Sequence, residues 1–162
     1  MIYVPAVLSV VAYADLLSTG ADLGVAPAGY YAIDSLRLEK GYRAFGRDLH
    51  PDIGPAEAGL LFTCAKDKDY LGRAAVDAVR GTGPRRRLVS FVVDDPDPML
   101  WGGELVLRDG VPVGQVTSAA WGATVGAAVG LALLNDGLQP GAHLVDVGGE
   151  RYPITVSVRA PL

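Results

Sequence analysis

Residues 30–60 read YYAIDSLRLEKGYRAFGRDLHPDIGPAEAGL. The stretch joins a helical register, a turn-rich loop and a compact Glu-Ala-Gly segment in that order. Ile33, Leu36 and Leu38 are apolar while Asp34, Arg37 and Glu39 are charged, a spacing that predicts a helix over Tyr30 to Glu39. Gly41 lies just past it as a stop. From Gly46 to Pro55 glycine, aspartate and proline follow in close order, which is loop chemistry.

Upstream, Pro5 is placed as the first residue of a helix, where its missing N–H would be unpaired anyway. Val7, Leu8, Val11, Ala14, Leu16 and Leu17 then hold one broad apolar face, and Gly20 and Gly24 end the run. This predicts a buried amphipathic helix. The same run is weighed as a signal peptide, because Ala12-Tyr13-Ala14 imitates a cleavage site. It lacks a preceding Lys or Arg and is too short to span a bilayer, so cytoplasm is the expected compartment. Downstream, Leu60 to Ala65 suits a short strand, and Tyr70 to Val79 a helix broken by Gly81-Thr82-Gly83-Pro84.

After Pro84 the texture changes. Leu88–Val93, Glu104–Leu107, Val111–Ser118, Val125–Leu133, His143–Val147 and Tyr152–Val158 are short runs rich in β-branched residues. Asp109-Gly110 and Gly148-Gly149 mark hairpins between them. Six such runs predict a small closed or sandwich-like antiparallel domain. The whole chain is therefore α+β, with a boundary near residues 81–86.

Half of the 162 residues are hydrophobic, a fifth are charged and the net charge is −4. That balance suits a globular chain and argues against nucleic acid, whose phosphates need clustered Lys and Arg. The one basic run, Arg85-Arg86-Arg87, reads either as a solvated strand start or as an anion site. A single cysteine, Cys64, excludes an intrachain disulfide, and His50 and His143 form no ligand pair, so no metal is expected. There is no Ser-His-Asp order, phosphate loop or dinucleotide fingerprint.

Several segments then carry a family likeness in combination: Ile2-Tyr3-Val4-Pro5, Gly29 to Tyr42, Phe45-Gly46-Arg47-Asp48-Leu49, Pro55 to Leu60, and Lys68 to Arg73. Trp101-Gly102-Gly103-Glu104 and Gly114-Gln115-Val116-Thr117-Ser118 extend it to the C-terminal part. In this order they resemble the C-terminal part of the tetrahydrofolate-binding unit of sarcosine and dimethylglycine dehydrogenases, relatives of the glycine cleavage T-proteins. T-proteins carry an arginine where this chain has Ile33, and the dehydrogenase branch an aliphatic residue, so Ile33 favours that branch. Folate-binding relatives with a reactive cysteine place it where Asp69 stands here, so that thiol chemistry is not expected.

The resemblance implies residues 1–82 as the C-terminal portion of the folate-binding domain, an incomplete remnant of helices and short strands, and residues 86–162 as a six-stranded antiparallel β-barrel. It implies an aminomethyl (one-carbon) transfer with tetrahydrofolate as cofactor. It also places the acid/base carboxylate and a Gly-Glu pterin motif before residue 1, so the chain is not expected to perform the transfer alone and no catalytic residue is assigned within it. A non-catalytic binding or regulatory module derived from that family is the alternative. The expected partner is a second copy of the chain or a subunit supplying the upstream half, and exposed apolar surface around Val4 to Leu17 is expected to promote self-association.

Folate needs aromatic or apolar walls, a carboxylate for its pterin and a cation for its tail. Tyr31 with Tyr30 is a candidate wall, or packs. Glu39 is a candidate carboxylate, or pairs with Arg43. Glu57 sits among small residues before an apolar run, so it is a candidate ligand or the buried partner of Arg37 or Arg47. Trp101 caps a ligand cleft or packs on the barrel. Asp94, Asp95 and Asp97 are a cation site or a solvated acidic loop.

Overall fold

The computed structural model describes residues 2–95, 97–135 and 138–162. Its elements in chain order are α1 (Ser9–Thr19), α2 (Tyr30–Glu39), α3 (Arg73–Thr82), β1 (Arg87–Val93), β2 (Leu105–Arg108), β3 (Val111–Gly122), β4 (Ala127–Leu134), β5 (His143–Val147) and β6 (Glu150–Ser157). The chain divides into two compact units, one up to Ile33 and one from Asp34 to Leu162. No helix among the described residues is long and apolar enough to cross a membrane.

In the first unit a single 3-10 turn, Ala6–Leu8, leads from Pro5 into α1. The helix forms where the apolar spacing puts it, but the expectation that it is buried is not met. None of its residues is buried, and Val7, Val10, Val11, Tyr13 and Leu16 are all exposed. The unit consists of this helix, short turns and the start of α2, so it has no second layer with which to cover an apolar stripe.

The second unit is built on a closed barrel in the order β1-β4-β3-β2-β5-β6, with every neighbouring pair antiparallel. The expected six strands are all present and the closed alternative is the one adopted. Alternation along β1 sends Val89, Phe91 and Val93 inward, where they pack with Val106, Val116, Ala132, Leu134, Val145 and Ile154. The other face of β1 and β4 is covered too. Leu88, Val129 and Leu131 pack there against Leu38 of α2, which is completely buried. The end of α2 is thereby fixed to the barrel wall. Between β2 and β3, Asp109 and Gly110 have φ of 51° and 83°, the successive left-handed residues that a tight two-residue hairpin requires.

Two local expectations are corrected. Leu60–Ala65 is not a strand but holds a 3-10 turn, Leu61–Thr63, with Phe62 exposed. A closed barrel offers no free strand edge for such a segment to join. The third helix runs from Arg73 rather than Tyr70, because Gly72 at φ 86° breaks the helical register immediately before it. The acidic loop retains Asp94, Asp95 and Asp97 among the described residues, while Pro96 lies outside them.

Candidate functional site

A buried polar cluster of the second unit centres on Asp48, whose side chain is fully buried. The loop from Ala44 to Leu49 is closed by its own backbone, with the N–H groups of Asp48 and Leu49 donating to the Ala44 carbonyl at 2.9 and 3.2 Å. This turns the Asp48 carboxylate toward β3. Its Oδ1 accepts hydroxyl hydrogen bonds from Thr117 at 2.5 Å and Ser118 at 2.6 Å. Its Oδ2 accepts from Arg37 Nη1 at 2.5 Å and from the Ala44 N–H at 2.9 Å. Arg37 lies one helical turn after Asp34 and donates to it from Nε at 2.7 Å, and Arg47 donates to the same carboxylate at 2.9 Å. The charges sum to zero.

The bulge in β3 explains why β3 can receive this carboxylate. The register against β4 shifts between Val116 and Ser118, leaving Thr117 unpaired. An extra residue re-aims side chains locally, and here two consecutive hydroxyls point at one oxygen. The strand's regular alternation would have sent one of them away.

Glu39 ends α2 and is buried. Its Oε1 accepts the N–H groups of Thr124 at 2.7 Å and Val125 at 3.1 Å, in the turn between β3 and β4. Burial by itself would raise the Glu39 carboxyl, but those two N–H groups, the Thr124 hydroxyl and Lys40 outweigh it and hold the carboxyl below the usual range. The expected Glu39–Arg43 pair does not form. Arg43 donates instead to the carbonyls of Ala58 and Gly41, at 3.1 and 2.8 Å. With its acceptor aimed at the turn, Glu39 is better used there than at an exposed ion pair.

Glu57 does have an arginine partner, but neither Arg37 nor Arg47. Arg86 donates to it from Nε at 2.9 Å and from Nη2 at 3.1 Å, and the Gly54 N–H adds a third bond at 3.1 Å. The Glu57 carbonyl is also tied in, accepting from the Leu88 N–H at 2.8 Å. The Arg86 hydrogen bond, partly opposed by burial and aided by Gly54, holds the Glu57 carboxyl below the usual range. A depressed carboxyl contributes stability above its unfolded-state pKa and loses it as pH falls through the folded value. Glu57→Gln is therefore expected to cost up to about 1 kcal/mol at neutral pH. The gap from wild type should close as pH falls below about 4, in urea unfolding measured at a series of pH values. A gap independent of pH would mean the pair contributes by packing alone.

The two aromatic candidates are free. Tyr31 is 78% exposed on the first turn of α2, in the N-terminal unit, beside an equally exposed Tyr30. Trp101 is 68% exposed, which rules out its packing into the barrel. Its loop is nevertheless rigid: Glu104 accepts the N–H groups of Trp101 and Gly102 at 2.8 and 2.9 Å, and Gly103 donates to the Val116 carbonyl at 2.8 Å. The loop thus lies against the bulge that holds Asp48. Among the described residues no hydrogen bond or ion pair joins Glu39, Glu57 and Trp101 to one another. Nor do three His, Cys, Asp or Glu side chains gather as a metal set among them.

Reading the sequence for candidate ligands missed Asp48, Arg37, Thr117 and Ser118, although all four lie in segments that carry the family likeness. An aspartate inside a tight loop and a Thr-Ser pair in a strand were the available signals. Their meeting depends on contacts 69 and 70 residues apart.

Comparison with known proteins agrees with this architecture. Residues 86–162 match the model of the glycine cleavage T-protein C-terminal barrel domain, and residues 2–68 that of the GCVT N-terminal domain. The chain is 44% identical over 147 residues to 4-methylaminobutanoate oxidase (formaldehyde-forming) of Paenarthrobacter nicotinovorans, covering 89% of this chain and 18% of that one. It is 36% identical over 171 residues to the mitochondrial sarcosine dehydrogenase of Mus musculus, covering 99% and 18%. The chain thus spans less than a fifth of either relative. Among solved structures, the glycine cleavage system aminomethyltransferase T of Bartonella henselae superposes with a TM-score of 0.79 at 24% identity, over 93% of this chain and 43% of that one.

Proposed function

We propose, on the premise that this chain belongs to the glycine cleavage T-protein family, that it is the barrel-bearing segment of a tetrahydrofolate-dependent aminomethyl transferase of the sarcosine/dimethylglycine dehydrogenase type. The observation that carries this reading is the order of the two family matches along one chain, the second of which folds as a barrel that closes completely. In such a transfer a methylene unit passes from an aminomethyl donor to folate, and the protein works by positioning the reactants and excluding water from the iminium.

The four candidate ligand residues fit folate unequally. Tyr31 and Trp101 present open rings of the kind a flat pterin stacks on. Glu39 and Glu57 have oxygens already engaged, by backbone N–H groups and by Arg86. In this reading the carboxylate that acts at the one-carbon unit comes from polypeptide outside these 162 residues, and the present chain supplies walls and a scaffold.

Calorimetric titration with tetrahydrofolate, with the mass in solution measured alongside, tests it. Saturable binding is expected, weakened about 5- to 10-fold by whichever of Tyr31→Ala and Trp101→Ala removes the stacking ring, the loss of one aromatic contact. Glu39→Gln should leave the affinity unchanged. Absence of heat at high protein concentration would count against folate binding by this chain and favour a non-catalytic module built on the same fold.

A further inference from the structure

The pairing of Arg87 with Leu134 places the residues before β1 and after β4 at the same end of the barrel. Arg85, Arg86 and Asn135 meet Glu57 there around an open cleft of about 490 Å³. Its hydrogen-bonding capacity is only partly used. Arg86 is held by Glu57 through Nε and Nη2, and Nη2 also donates to the Asp52 carbonyl at 2.5 Å, so the guanidinium plane is fixed while Nη1 has no partner among the described residues. The Arg85 guanidinium and the Asn135 side-chain amide likewise have none among them. Asn135 is itself anchored by its backbone N–H on the Val113 carbonyl at 2.7 Å.

The charges decide what such a cleft attracts. Among the described residues that line the cleft, two guanidinium groups face one carboxylate, an excess of one positive charge at the lining of a chain whose net charge is −4. The Asp52 carboxylate does not line the cleft and is 86% exposed, 3.5 Å from His50, but with Glu57 it adds to the negative field that raises the Arg86 guanidinium. We propose that this cleft binds one carboxylate group of a small anionic ligand, between Arg85, the free edge of Arg86 and the Asn135 amide. A planar carboxylate matches planar guanidinium and amide donors. One negative charge matches the excess at the lining, whereas the second charge of a phosphate dianion would be repelled by Glu57 and Asp52. The site requires nothing of folate and stands or falls separately from the one-carbon reading.

The test is an NMR titration of the whole ¹⁵N-labelled chain with acetate, with inorganic phosphate at pH 8 and with chloride, all at one ionic strength. Acetate should shift the Asn135 side-chain amide and the Arg86 Nε–H saturably, with a dissociation constant of about 1–10 mM. Phosphate should bind at least about threefold more weakly and chloride should give no saturable shift. Arg85→Gln should weaken acetate about 10-fold, as expected for one charge-assisted bond. Because Arg85 is exposed and unpaired among the described residues, that variant should melt within about 2 °C of wild type. Shifts that rise linearly with acetate, that chloride reproduces, or that survive Arg85→Gln unchanged would overturn the proposal. Tetrahydrofolate binding by calorimetry can succeed or fail without altering any of these outcomes.

Discussion

Asp48→Ala is expected to destabilise the unit from Asp34 to Leu162 by about 3–5 kcal/mol, the range for removing one partner of a buried charge pair. For a unit of this size that corresponds to a fall in Tm of roughly 10–15 °C. The size follows from what is left behind. Four donors converge on this one side chain, from Arg37, Ala44, Thr117 and Ser118. Alanine leaves the Ser118 hydroxyl and the Ala44 N–H facing a void, leaves the Thr117 hydroxyl only its longer bond to the Leu131 carbonyl, and leaves Arg37 with Asp34 as its remaining carboxylate partner. Arg37 already carries one buried nitrogen, Nη2, without a partner among the described residues. Thr117→Val removes one donor and leaves the carboxylate three, so it should cost only about 1 kcal/mol. Asp48→Asn keeps the shape but sets an amide nitrogen among donors, and should fall between the two. Urea unfolding followed by tryptophan fluorescence orders the three variants. The cluster would be shown not to hold the unit together if Asp48→Ala lost less than about 1 kcal/mol, within the range of ordinary surface changes.

Much of the architecture was legible because it is local. The helix over Tyr30–Glu39 was readable to the residue, since its apolar spacing, its charges and Gly41 all agree. The six strands were readable within a few residues, since Asp109-Gly110 and Gly148-Gly149 fix their turns. Leu60–Ala65 misled because a short apolar run looks alike in a strand and in a surface turn, and only the closure of the barrel decides. Carboxylate partners were read poorly for the same reason. Arg37 and Arg47 were nearer to Glu57 in sequence, yet Arg86 reaches it from 29 residues away because β1 starts beside that loop. The Thr117 bulge is likewise invisible in a strand pattern. It arises from the pairing of β3 with β4, and it converts two ordinary hydroxyls into the seat of Asp48.

Gly114→Ala carries the second large expectation, and here the argument concerns backbone rather than charge. In an open position the change would stabilise by about 0.4–1 kcal/mol, through the unfolded chain. Gly54 is such a position, with nothing within 4 Å of an added methyl, and Gly54→Ala should be neutral or slightly stabilising. At Gly114 the methyl would run into the Leu133 carbonyl oxygen and stand 2.9 Å from the Leu134 Cα and 3.0 Å from the Leu133 carbonyl carbon. These are main-chain atoms of β4, and they cannot turn aside as a flexible side chain would. Nor can β3 withdraw, because Gly114 pairs with Leu134 on one side and with Val106 on the other, in a barrel without an edge. The cost should therefore reach or exceed the upper end of the 1–3 kcal/mol usual for overpacking, about 3–4 kcal/mol. Thermal melting of Gly114→Ala beside Gly54→Ala separates this from a general effect of losing glycine. If Gly114→Ala melted within about 2 °C of wild type, β3 and β4 would have to be free to part there, and the closed register could not be what holds Thr117 and Ser118 against Asp48.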